Sequence, residues 1–200
     1  MKKELPDRNN LELYLGLIVY TSCYIGVGIN LNVFSYMPLT REKTRGNIES
    51  LLATPLRVKE IWLAKSLAIF LPGLVLGEIL TLITLIAVNI IYIVPKLNFL
   101  ITPWIVICSF VAVPLIYFFI SLLVHLIGLT GRPMTANVIN IFFLNIIAAL
   151  MINLAAHRIL DLTSWSFTAA NLGIAVVVGL IIILLQSRLN KEKIVLSCKE

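Results

Sequence analysis

The sequence predicts an all-α fold: a polytopic bundle of about five transmembrane helices with a short charged helix on one side. Three observations predict it. Of the 200 residues, 60% are hydrophobic, and mean hydropathy is +0.99. Only 13% are charged, where a soluble domain carries roughly a quarter. The apolar residues fall into runs that reach the roughly 20 residues needed to cross a bilayer, separated by short charged loops. Backbone polar groups in hydrocarbon must be satisfied inside their own segment, so each run is expected to be helical.

Taken in order, the opening MKKELPDRNN mixes Lys2, Lys3 and Arg8 with Glu4 and Asp7. No short apolar core with a small-residue cleavage site follows it, so it does not read as a signal peptide. The first span covers 13–37 and contains Gly26 and Gly28. The second, 62–94, is longer than a bilayer requires, so it should tilt, bend or project. Pro72, Gly73 and Gly77 supply a place to bend. The third covers 104–129 and includes Pro114; the fourth covers 134–155 and the fifth 167–185. Trp104 and Trp165 suit the membrane interface at span ends. With no internal repeat and no low-complexity linker, residues 1–200 read as one domain.

The three cysteines, Cys23, Cys108 and Cys198, have no paired spacing, which argues against a disulfide framework or a zinc site. The net charge of +6 is read as topology and not as a nucleic-acid signal, because basic residues collect between spans. If 40–67 faces the cytoplasm with the C-terminal tail, eleven of the sixteen Lys and Arg lie on that side. That orientation leaves the N-terminus outside, with Lys2, Lys3 and Arg8 against the positive-inside tendency.

The segment 40–67 is the most informative stretch. Within it, Ile48, Leu51, Leu52 and Pro55 follow the i, i+3, i+4, i+7 spacing of one apolar helical stripe. Asn47 after Gly46 is a good N-cap. Glu49 sits in the first turn, where the helix dipole favours negative charge. Pro55 disfavours helix at Thr54 and ends the segment. A two-turn helix is marginal alone. It is expected either to lie on the membrane surface, held by the basic residues around it, or to insert its stripe into a groove of a soluble partner.

Read from Glu42 to Ile61, the order E-K-x-x-G-x-I-E-x-L-L-x-T-P-L-x-x-x-E-I resembles the permease subunits of ABC-2 type ABC transporters. Lys65 falls where that family often has a lysine before its next span. The resemblance implies that 40–61 is the coupling region against a separate ABC ATPase (nucleotide-binding) subunit. Glu42, Arg45, Gly46, Ile48, Glu49, Leu51, Leu52, Thr54 and Pro55 would be its contact residues. It also implies a second permease subunit in the same bilayer, with ATP and Mg held by the ATPase. Family members usually have two spans before this motif and this chain has one, so the expectation is a missing first span: a five-span variant, a fragment, or a reading frame begun late.

Other candidates are fewer. Glu78 lies inside the second span, where a carboxylate faces protein or water. It reads as lining a transport path, as a proton acceptor, or as a packing residue. His125, one turn after Ser121 in the third span, reads as an interhelical hydrogen-bonding residue. His157, Arg158 and Asp161 read as a solvated outer loop. No HExxH and no GxxxxGK[ST] loop is present, so no metal site is expected and the chain does not hold ATP by that mechanism. The expected function is a non-catalytic permease subunit of an ATP-driven transporter in the cell membrane, working as an exporter. One alternative is a membrane scaffold recruiting a protein or lipid through its basic loop. The other is an intramembrane enzyme, for which Glu78 and His125 are the only ionisable residues clearly inside spans.

Overall fold

The computed structural model describes residues 8–44, 51, 53–95, 98–131, 133–187, 189 and 194. Among these, five helices are long and apolar enough to cross a membrane, and no strand occurs. The chain is a multi-pass, all-α membrane protein. We name the helices α1 (Arg8–Thr44), α2 (Val58–Ile93), α3 (Pro103–Thr130), α4 (Pro133–Ala156) and α5 (Trp165–Gln186).

The helix ends differ from the sequence expectation, and charge is the reason. The first span was expected at 13–37. In the structure α1 is 37 residues long, starts at Arg8 and runs through Pro38 to Thr44. Its first turns take an Arg8–Glu12 ion pair of 3.0 Å. Its last turn carries Arg41 and Lys43, where the helix dipole favours cations. Glu42 is therefore helical and does not lie in a loop. Likewise α2 begins at Val58 and not at residue 62, because the Glu60 carboxylate accepts a hydrogen bond from the Arg57 N–H at 3.0 Å and caps the first turn. The remaining spans are each extended by one or two residues at their ends.

Helix α2 continues through Pro72, and its irregular turn lies later, as a π-helical turn over Asn89–Ile93. A second π turn, Cys108–Ala112, interrupts α3 just before Pro114. Proline explains the second one. Pro114 has no N–H, and the Val113 N–H is committed to the Cys108 carbonyl, so the Ser109 carbonyl lacks a helical donor. The Cys23 thiol on α1 donates to it at 2.9 Å, deep between the two helices. The unpaired cysteine thus fills a hydrogen-bond vacancy that the proline creates.

Helix α3 is the centre of the bundle. It is 61% buried over its apolar window, α1 is 50% buried, and α2, α4 and α5 are 28% or less. Helix α1 packs on α2, α3 and α4, and α3 also packs on α2, α4 and α5. Polar ties join several of these helices. The Trp62 indole N–H donates to the Leu122 carbonyl at 2.9 Å, joining α2 to α3. The Tyr20 hydroxyl donates to the Asn171 amide oxygen at 3.0 Å, joining α1 to α5. Ser22 and Thr84 pair at 2.9 Å between α1 and α2. Ser66, Thr81 and Thr130 return their hydroxyls to the carbonyl one turn back, which satisfies them without water.

Asn89 secures the end of α2. It is buried, donates to the Leu85 carbonyl at 3.0 Å, and accepts the Leu100 N–H at 2.9 Å. Asn89→Leu leaves that amide N–H without its acceptor, a loss of about 1–3 kcal/mol. The expected result is a lower thermal midpoint of the purified chain in detergent. A midpoint equal to the wild type would show that Leu100 finds another acceptor.

Candidate functional site

At one end of the bundle, the end of α1 is tied to the start of α2. The Glu42 carboxylate on α1 and the Lys65 ammonium on α2 form an ion pair, with both side chains partly exposed. Next to Glu42, the Lys43 ammonium donates to the Gly131 carbonyl at 2.5 Å, in the turn between α3 and α4. The same end of the bundle is therefore fixed across α1, α2 and the α3–α4 turn.

Between α1 and α2, Arg45, Gly46, Ile48, Glu49 and Leu52 lie outside the described residues, as does most of the expected helix 47–54. Leu51 is helical and half-buried, and Ala53–Leu56 form a turn. The Leu51 carbonyl accepts both the Thr54 N–H at 3.2 Å and the Thr54 hydroxyl at 2.6 Å. Thr54 thus closes the turn, Pro55 stops any helix from continuing, and Glu60 starts α2. Of the described motif residues, Glu42, Thr54, Glu60 and Lys65 all make hydrogen bonds or ion pairs within the chain. Leu56 is 48% exposed. The polar motif residues build the elbow; of its described apolar residues, Leu56 is exposed, Leu51 half-buried and Ile61 buried.

Glu78 sits on α2 beside Gly77, where α2 touches α1 at Val27. It is half-buried, and its Oε2 is buried with no hydrogen-bond partner among the described residues. His125 is fully buried on α3, and its Nδ1 lies 2.8 Å from the Ser121 carbonyl of its own helix. That bond makes Nδ1 the protonated nitrogen. It also corrects the expectation of an interhelical bond: the ring is satisfied one turn back, and Nε2 is buried without a partner among the described residues. The structure keeps Glu78 and His125 as separate features, and no group of three potential metal ligands occurs among the described residues.

At the opposite end, Arg158 has a positive φ of 56° and its guanidinium bonds the Asn10 side chain at the start of α1. Asp161 accepts the Thr163 N–H at 3.1 Å and the Thr163 hydroxyl at 2.9 Å, an ordinary turn-forming role. Trp104 and Trp165 stack edge-to-face with centroids 5.1 Å apart, at the starts of α3 and α5.

Sequence reasoning gave Lys43 no role beyond the charged motif and passed over Tyr24, Tyr117 and Asn145. Tyr117 on α3 donates to the Tyr24 carbonyl of α1 at 2.5 Å, and Gly28 leaves room for its ring. A polar or aromatic residue inside an apolar run was the available signal for each of the last three. No family model matches the sequence, and neither a curated protein nor a solved structure matches it.

Proposed function

We propose that the chain is the membrane-spanning permease subunit of an ABC-2 type transporter, working as an exporter in the cell membrane. The reading rests on the ordered motif from Glu42 to Lys65. In support of it, two of the motif's charged residues, Glu42 and Lys65, clamp α1 to α2 on either side of the turn. A force applied to residues 45–57 is then delivered to two helices as one body. The basic loop and the tail face the cytoplasm, where an ATPase subunit reaches them. ATP-driven closure of two such subunits shifts the helix packing between two arrangements, and alternating access follows if the ATP-bound form favours one of them. ATP and Mg stay on the ATPase, and this chain makes no covalent intermediate.

The test is assembly with the full chain. Purified from its own membrane, it should carry a soluble ATPase with a phosphate-binding loop, and reconstitution should raise that enzyme's hydrolysis rate. A chain that binds the ATPase without changing hydrolysis is a scaffold, and the permease reading fails.

Within this reading Glu78 lines the transport path. Glu78→Gln is expected to insert and fold as the wild type does, while altering coupled ATP hydrolysis and its dependence on pH. A pH profile that superimposes on the wild type reduces Glu78 to a packing residue.

A further inference from the structure

A buried histidine lies at the clamped end of the bundle. Helices α2 and α3 run antiparallel there, and three contacts set their register. Phe70 meets Phe118 with ring centroids 5.4 Å apart, the Ser121 hydroxyl reaches the Ser66 carbonyl at 3.4 Å, and the Trp62 indole donates to the Leu122 carbonyl at 2.9 Å. Each turn back along α2 is one turn forward along α3, so His125 falls level with Trp62, in the turn of α2 that carries Lys65. His125 is 1% exposed. Its Nδ1–H is spent on the Ser121 carbonyl, which turns Nε2 away from its own helix, where it is buried without a partner among the described residues. The charged groups within electrostatic range of the ring are Lys65 of α2 and Glu42 of α1. Lys43, next along α1, is committed to the Gly131 carbonyl. Lys59 and Glu60 are exposed at the start of α2, and α4 and α5 carry no ionisable side chain.

The bond to Ser121 does not itself call for a histidine. Asn89, Asn145, Asn153 and Asn171 each make the same bond to the carbonyl one turn back. What the imidazole adds is Nε2, a site for a second proton, on a side chain that changes charge between about pH 5 and pH 8. We propose that His125 is a proton-sensitive release for the Glu42–Lys65 clamp. Neutral, it leaves the pair closed. Protonated, it puts a positive charge beside the Lys65 ammonium and offers Glu42 a competing cation. A partly exposed ion pair is weak enough for one added charge at this range to offset it. A buried imidazolium is costly until a carboxylate answers its new donor, so gaining the proton and drawing Glu42 off Lys65 are one event. Acid therefore frees the end of α1 from the start of α2. The release belongs to the chain's own clamp, and only its consequence for transport rests on the permease reading.

Trp62, level with the ring, reports its charge. With Trp104→Phe and Trp165→Phe, the full chain in bilayers keeps Trp62 as its only tryptophan. Acidification from about pH 8 to about pH 5 should lower its emission, because imidazolium quenches indole, and His125→Asn, which keeps the Ser121 bond, should abolish the change. Hydrogen exchange of Arg41–Thr44, the last turn of α1, reads the clamp. At the acid end the wild type should exchange about two- to fivefold faster than His125→Asn, the factor one partly exposed ion pair carries, and at the alkaline end the two should agree. Comparing chains at equal pH cancels the intrinsic exchange rate. Lys65→Met, which has no clamp to release, should exchange fast at both ends. His125→Gln repeats the comparison if His125→Asn does not insert. Four results overturn the proposal: Trp62 emission flat across the range, a change that survives in the variant, equal exchange of wild type and variant in acid, or Lys65→Met as slow as the wild type at the alkaline end. None of these measurements contains an ATPase, so the release can stand where the permease reading fails, and the reverse.

Discussion

Gly77→Val is expected to separate α2 from α1 and to abolish most of the folded yield. A Cβ at Gly77 would lie 2.8 Å from the Val27 amide nitrogen and 3.1 Å from its Cα, and would overlap the Val27 side chain. From the other side, a Cβ at Gly26 would come within 3.0 Å of the Gly77 Cα. These are backbone contacts, and no rotamer change relieves them. Overpacking costs about 1–3 kcal/mol where side chains can adjust, and more where helices have to move apart. The shift would also stretch the Ser22–Thr84 bond and displace the neighbouring Glu78. Gly77→Ala should show a smaller loss in the same direction. Gly173→Ala is the control, since nothing lies within 4 Å of its new Cβ, and a helical Gly→Ala change there is neutral or slightly stabilising. Monodispersity on size exclusion and the thermal midpoint read the result. If Gly77→Val matches Gly173→Ala, α1 and α2 do not touch at these glycines.

The five helices were legible because hydrocarbon leaves an apolar run no other backbone solution. Their ends were not. Thr40–Thr44 carries enough charge to look like a loop, yet Arg41 and Lys43 suit a helix C-terminus and let α1 continue. Pro72, Gly73 and Gly77 read as a place for α2 to bend; the helix runs on through them, and its irregular turn falls at Asn89–Ile93. Pro114 has the structural consequence instead, because Cys23 stands ready to satisfy the carbonyl it strands. That compensation is a relation between two distant residues and has no local signature. The candidate site divides the same way. The spacing of the motif could be read directly, whereas the pairing of Glu42 with Lys65, and of Lys43 with the Gly131 carbonyl, depends on where α1 ends. Asn145 was visible as a polar residue in an apolar run, but only the packing of α4 shows that it faces outward.

Leu51→Asp is expected to abolish co-purification of the ATPase while leaving the bundle intact. Leu51 contributes to the local fold through its backbone, whose carbonyl accepts both Thr54 donors, and aspartate keeps that carbonyl. Its side chain is half-buried within the chain, so the substitution disturbs little of the core. At a docking face the same change is severe. It removes an apolar anchor and places a charge where the partner's groove is desolvated, and single anchors of this kind cost 2 kcal/mol or more, roughly thirtyfold in affinity. Thr54→Val is the contrasting variant. It keeps the apolar stripe but loses the hydroxyl that closes the turn, so it should weaken coupling and lower stability together. Leu51→Asp should instead lose the ATPase at an unchanged thermal midpoint. A Leu51→Asp chain that still stimulates ATP hydrolysis at the wild-type rate would falsify the docking role of this segment, whatever its spacing resembles.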